Sequence, residues 1–246
     1  MHNKPVALVT GANKGIGYQI AKDLVTHGFT VLIGSRNFEN GETAAKNIGS
    51  EAHGIQLDVT DHSSVYAAAE RIKREFGRLD VLVNNAGIAF SGILGTTEEE
   101  MKNVYTPSLV PLDEVRGLFE TNVFGVIAVT QAMLPLLRDA KAGRIVNISS
   151  ELGSLTRNLE PGSLSIGYYG PSKTAVNAVT VAFAVELAST NIKVNAVCPG
   201  FTATDMNNFQ GTNTVEQAAA LALRFVLLDE NGPTGTFSNK EGIIPW

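Results

Sequence analysis

The stretch PVALVTGANKGIGYQIAKDLVTHG, residues 5–28, decides the fold. Residues 5–10 are a short run of apolar and β-branched residues that stops at a glycine, the pattern of a strand buried on both faces of a parallel sheet. Gly11-Ala12-Asn13-Lys14-Gly15-Ile16-Gly17 follows, and YQIAKDLVTHG then reads as a helix closing at Gly28. Strand, glycine-rich turn and helix together form a phosphate cradle. The glycines let the backbone approach a pyrophosphate, and the helix N-terminus offers unpaired N–H groups at the positive end of its dipole. The spacing is G-x-x-x-G-x-G. It is neither the common dinucleotide fingerprint nor a P-loop, because Lys14 precedes its glycine and no Lys-Ser/Thr pair follows.

Working outward, strands and helices keep alternating. FTVLIGS (29–35) is a second strand ending at Ser35-Arg36-Asn37. An NAD site usually has an acidic residue near this point to bond the ribose 2′-hydroxyl. Arg36 stands here instead, with Lys14 in the preceding turn, and two cations suit a 2′-phosphate. A helix around 39–48 leads to the strand HGIQLDV, which ends at Asp58-Val59 beside the expected adenine pocket. Asp61 caps a helix over 62–75, and LDVLVNNAG closes a fourth strand at Asn84-Asn85-Ala86-Gly87. Residues 88–111 read as a long loop with at most a short helix, a lid or partner surface. From about Asp113 a long apolar helix carries Asn122 as its polar exception.

GRIVNISS (143–150) is a fifth strand ending in two serines, 151–168 a loop, and 169 to about 189 a helix. IKVNAVCPG is a sixth strand with Thr202, Thr204 and Asp205 beyond it; a helix near 214–228 and an edge strand around 235–237 complete the chain. The expected architecture is α/β: one Rossmann-like doubly wound domain over residues 1–246, with a largely parallel seven-stranded sheet and helices on both faces. Ligands bind such sheets beyond the carboxyl ends of the strands, where the Gly11 turn, Asp58, Asn84 and Ser150 converge.

Composition narrows the function. The 246 residues are 44% hydrophobic with a net charge of −5, which argues against nucleic-acid or basic membrane-surface binding. Cys198 is the single cysteine and the four histidines (His2, His27, His53, His62) form no ligand cluster, so neither a metal site nor a Ser-His-Asp triad is expected. The residues before the first strand are too few for a signal sequence and no apolar run approaches a membrane span, so the expectation is a soluble cytoplasmic protein.

Tyr169-Gly170-Pro171-Ser172-Lys173 supplies the chemistry. Residues four apart on a helix share a face, roughly 6 Å apart along the axis. A phenol has a pKa of about 10, and a neighbouring ammonium is expected to lower it and so tune it as an acid or base.

Taken together, TGANKGIG (10–17), NNAG (84–87), TNVFG (121–125), NISS (147–150), YGPSK (169–173) and PGFTATDM (199–206) resemble the short-chain dehydrogenase/reductase family over nearly the whole chain, and within it the NADP(H)-preferring carbonyl reductases. The resemblance implies a catalytic set of Asn122, Ser150, Tyr169 and Lys173. Tyr169 would be the general acid in carbonyl reduction, Lys173 would depress its pKa and bond the nicotinamide ribose, Ser150 would bond the substrate oxygen, and Asn122 would hold a relay water. For Ser150 over Ser149, only motif register speaks. The implied cofactor is NADP(H), held by Gly11, Asn13, Lys14, Gly15, Ile16, Gly17, Arg36, Asp58, Val59, Asn85, Ala86, Gly87, Tyr169, Lys173, Pro199, Gly200, Phe201, Thr202 and Thr204. The substrate would be a small carbonyl compound or alcohol. The stretches before Asn122 and between Ser150 and Tyr169 are longer than the compact family pattern, so no particular substrate carries over. An NAD-linked sugar or steroid alcohol dehydrogenase and a non-catalytic NADP(H) sensor are the competing readings.

Overall fold

The structure, a computed structural model, describes residues 4–90, 106–163 and 166–246. Most of the loop expected at 88–111 therefore lies outside the described residues. One sheet runs through the molecule, built from β1 (Val6–Thr10), β2 (Thr30–Ser35), β3 (Ala52–Gln56), β4 (Val81–Asn84), β5 (Arg144–Ile148), β6 (Lys193–Val197), β7 (Phe237–Asn239) and β8 (Gly242–Ile243). Their order is β3-β2-β1-β4-β5-β6-β7-β8. The first seven are parallel, as the sequence predicts; two-residue β8 turns back antiparallel on β7. The strand expected at the edge is thus β7, one place inside it, because a tight turn at Lys240–Glu241 returns the chain.

Alternation along each strand explains the two cores. Ala7 and Val9 of β1 face one side, Val6 and Leu8 the other. On the first side, α1 (Gly15–Thr26) and α2 (Phe38–Ile48) pack with the late helix Val215–Val226 through Ile20, Leu24, Ala44 and Phe225. On the second, α3 (His62–Phe76) brings Val65 and Ile72 to Leu32 and Leu82.

The long helix expected from Asp113 is observed as three joined pieces: α4 (Leu112–Phe119), a π-helical turn (Glu120–Phe124) and α5 (Gly125–Arg138). A window of this helix reaches a mean hydropathy of 1.3, long and apolar enough to cross a membrane by length and composition. Its Val129, Met133, Leu136 and Leu137 are core residues packed in the second layer. α6 (Tyr169–Glu186) adds Phe183 and Ala184 to that layer, and Val215–Val226 is α7.

Strand order reverses between β1 and β4, so their connections leave on opposite faces and open a crevice at the carboxyl edge. The turns after β1, β4, β5 and β6 all end there.

Candidate active site

The glycine turn comes first. Gly11 and Gly15 have φ of +61° and +60°, values that a side chain would strain. A Cβ on Gly17 would collide with Asn85 Nδ2 and come within 2.8 Å of the Gly11 carbonyl. Lys14 is the N-cap of α1, contributes no side-chain cap, and no acidic residue occupies the first turn. Among the described residues the N–H groups opening α1 thus have no side-chain acceptor, which suits an anion. The turn is pinned to the next strand end: Thr10 Oγ1 accepts from Asn85 N at 3.0 Å and Ala86 N at 2.9 Å. Asn85 donates its amide to Thr10 O at 2.8 Å and Gly11 O at 3.1 Å. Asn85, one of the expected cofactor residues, commits both its side-chain N–H groups to this buckle.

At the far end of the cradle, Arg36 is exposed and makes no bond to any described residue, while Lys14 Nζ lies 3.0 Å from Asp205 Oδ2. Asp58 Oδ1 accepts from Thr60 N at 3.0 Å and Thr60 Oγ1 at 2.7 Å, with Val59 partly buried beside it. The loop after β6 leans over the turn: a Cβ on Gly15 would be 3.6 Å from Thr204 Cγ2. Thr202 is buried and bonds Pro199 O and Gly200 O, both at 3.2 Å, whereas Phe201 is exposed.

Tyr169 opens α6 and, as the four-residue spacing predicts, shares a face with Lys173, whose Nζ is 5.7 Å from the phenol ring centre. Lys173 is buried and donates to Ile148 O at 2.9 Å. Burial pulls its ammonium down to a pKa of about 8, opposed only in part by Cys198. The sequence reading expects this lysine to lower the phenol's pKa; in the structure the net shift of the phenol is upward, and Lys173 is not among its causes. Burial pushes the Tyr169 phenol above its ordinary value, the Cys198 sulfur adds to the rise, and a hydrogen bond with Ser150 acts against it. The physical reason is that Lys173 directs its proton at a carbonyl and not at the phenol, so removal from water dominates.

The two serines separate cleanly. Ser149 is buried and turned into α6, donating to Asn177 Oδ1 at 2.6 Å. Ser150 remains partly exposed at the crevice, beside the Tyr169 hydroxyl, and its Oγ accepts from Leu152 N at 3.3 Å. Asn122 sits in the π-helical turn, a distortion often found where a helix must aim a side chain. Its Oδ1 accepts from Ile88 N at 2.9 Å, and its Nδ2 donates to Ile88 O at 2.8 Å and Ser172 Oγ at 3.1 Å. Both N–H groups are therefore committed to protein; the second lone pair of Oδ1 is what it has left for water. Gly87 keeps this spot open, since a Cβ there would lie 3.3 Å from Asn122 Oδ1 and 3.5 Å from Lys173 Nζ.

Sequence reasoning missed Thr10, Ser172 and the Ile148 carbonyl, all of which orient the set. A threonine ending a strand before glycine was legible as a turn residue, but nothing in the order of residues says that its hydroxyl reaches β4's end. A shallow, partly open recess adjoins Tyr169, lined by Phe90, Val110, Val115, Leu118, Ile166 and Tyr168, with Glu114 the one charged residue among its described walls. The described residues contain no group of three His, Cys, Asp or Glu able to hold a metal ion.

A family model for short chain dehydrogenases matches residues 5–214. The chain belongs to the short-chain dehydrogenase family. It is 32% identical to the (−)-isopiperitenone reductase of Mentha piperita, covering 96% of each chain. The solved structure of salutaridine reductase from Papaver somniferum superposes with a TM-score of 0.81 at 30% identity, covering 95% of this chain and 99% of that one. A 3-ketoacyl-(acyl-carrier-protein) reductase from Brucella melitensis, solved in complex with NADH, superposes at 0.80 with 27% identity over 96% of each chain. Short-chain dehydrogenases are oxidoreductases that bind a nicotinamide cofactor and act on small molecules. The positive-φ glycines and the uncapped α1 terminus fit the pyrophosphate of such a cofactor.

Proposed function

We propose that this protein is an NADPH-dependent carbonyl reductase working without a metal, with Tyr169 as general acid. The observation that carries the reading is the meeting of the Tyr169 hydroxyl, Ser150 and buried Lys173 at the strand ends beside the glycine turn. When bound, the nicotinamide supplies the hydride. Gly11, Gly15 and Gly17 cradle the pyrophosphate, Arg36 and Lys14 meet the 2′-phosphate, and Asp58 and Val59 border the adenine. Asn13, Ile16, Ala86 and Gly87 line the dinucleotide's path; Pro199, Gly200, Phe201, Thr202 and Thr204 cover the nicotinamide end.

Ser150 hydrogen-bonds the substrate oxygen and steadies the charge growing there. Tyr169, a phenol that is protonated at neutral pH and whose proton burial holds more firmly still, gives that oxygen its proton. Lys173, a cation below about pH 8, favours replacement of the proton and holds the ribose edge. Asn122 fixes Ile88 and Ser172, and its remaining lone pair receives the relay water. The apolar recess beside Tyr169 suits a lipophilic aldehyde or ketone.

The test mixes purified protein, NADPH and a panel of aldehydes and ketones, and follows nicotinamide absorbance. Turnover is expected, with Arg36→Asp shifting preference toward NADH. Tight NADPH binding without turnover across the panel would replace this reading with a sensor, and an unchanged cofactor ratio in Arg36→Asp would remove the 2′-phosphate assignment.

A further inference from the structure

Ser150 is the one member of the proposed set that lies on a connecting segment and not on a helix, so something must hold that segment still. Its inner side rests on α6: Thr174 Oγ1 donates to Gly153 O at 3.0 Å, and a Cβ on Gly153 would lie 2.7 Å from the Lys173 carbonyl carbon. Its outer side is gripped by the last strand pair. Glu151, the residue after Ser150, accepts from Asn239 Nδ2 at 2.5 Å through Oε1 and from Arg157 Nη1 at 2.7 Å through Oε2. Its backbone N–H donates to the Cys198 sulfur at 3.1 Å. Asn239 is buried and its other end is tied down as well, Oδ1 accepting from Glu241 N and Gly242 N at 2.8 and 3.1 Å. Beyond Glu151, Ser154 Oγ donates to Pro245 O at 2.6 Å and Thr156 Oγ1 to Trp246 O at 2.9 Å, while the Trp246 ring stacks on Phe237 with centres 5.7 Å apart.

A carboxylate tied at both oxygens and at its own N–H, one residue from a group that must meet a substrate oxygen, is more than a surface ion pair. We infer that Glu151 is a positioning residue for Ser150, anchored by Asn239 of the β7–β8 hairpin, so that the far edge of the sheet sets the distance between Ser150 and the Tyr169 hydroxyl. The inference rests on the reductase reading above. It goes beyond it by making residues outside the crevice part of how the substrate oxygen is held.

The experiment uses the full chain, NADPH and whichever aldehyde or ketone of the panel the wild type reduces fastest. Glu151→Ala should lower kcat roughly 10- to 100-fold with the NADPH Kd unchanged, the loss typical of a small misplacement near the reacting atoms. Glu151→Gln, which keeps an acceptor for Asn239, should recover kcat to within about a factor of three of the wild type. Because Glu151 acts through Ser150, adding Glu151→Ala to Ser150→Ala should cost nothing further. Should Glu151→Ala not fold, Asn239→Ser breaks the same bond from the other side and should show the same loss, again absent in the Ser150→Ala background. Full kcat in Glu151→Ala, or an undiminished loss in that background, overturns the inference while leaving the reductase reading intact. A wild type inactive on the whole panel removes the reductase reading itself, and the inference with it.

Discussion

Tyr169 and Lys173 show how far two residues four apart can be read. Their shared face follows from helical pitch alone; their protonation does not. Burial raises the phenol and lowers the ammonium to about 8, so at neutral pH the tyrosine carries its proton and most of the lysine is charged. Carbonyl reduction should therefore hold steady up to about pH 8 and fall above it, measured as kcat against pH with NADPH saturating. Tyr169→Phe should lose at least about 100-fold in kcat, the usual worth of a general acid, with NADPH affinity kept. Lys173 also leaves a mark on stability. Its folded pKa lies below its unfolded value, so between about 8 and 10.5 the unfolded chain binds more protons and stability rises with pH. Relative to Lys173→Met, the wild type should gain stability across that window in denaturant titrations and show a constant difference below it.

Elements were legible wherever one local rule governed them. Asp61 caps α3 by accepting from Ser63 N, as the acidic residue before a periodic run predicts. The π-helical turn at Glu120–Phe124 was not legible, because a continuous apolar pattern looks the same whether the backbone bonds run four or five residues back. α1 shows the opposite case, with its glycines forecasting tight contacts. Gly17→Ala should weaken NADPH binding at least about tenfold and destabilise the fold by about 1–3 kcal/mol, since the added methyl meets Asn85 and the Gly11 carbonyl. Calorimetry for binding and thermal melts for stability would measure the two effects; normal NADPH binding by Gly17→Ala would show that the buckle gives way.

For the molecule as a whole, a ligand that binds only the folded chain should raise its stability by mass action. NADPH at a hundred times its Kd should add about 2.7 kcal/mol, and NADH at the same concentration clearly less, read as shifts of Tm. Arg36→Asp should erase the difference between them. Buried polar ladders are the other long-range feature. Asn84 bonds Thr130 and Asn147, and Asn147 in turn bonds Thr180, tying α5, β4, β5 and α6 through the core. Each of those residues reads in sequence as an ordinary polar position, because the partner that satisfies it lies 33 to 63 positions away. What the residue order determined alone was the alternation of strands and helices, the glycine cradle and the shared face of Tyr169 and Lys173. All three follow from backbone sterics and from the fixed periods of strand and helix, which act over a few residues. Only the packed chain turned Ser149 into α6 and left Ser150 at the crevice, placed Lys173 on the Ile148 carbonyl, and brought the last hairpin against Glu151. Those outcomes depend on which distant groups share a low-dielectric interior, where a donor must find whatever acceptor the fold has left within roughly 3 Å.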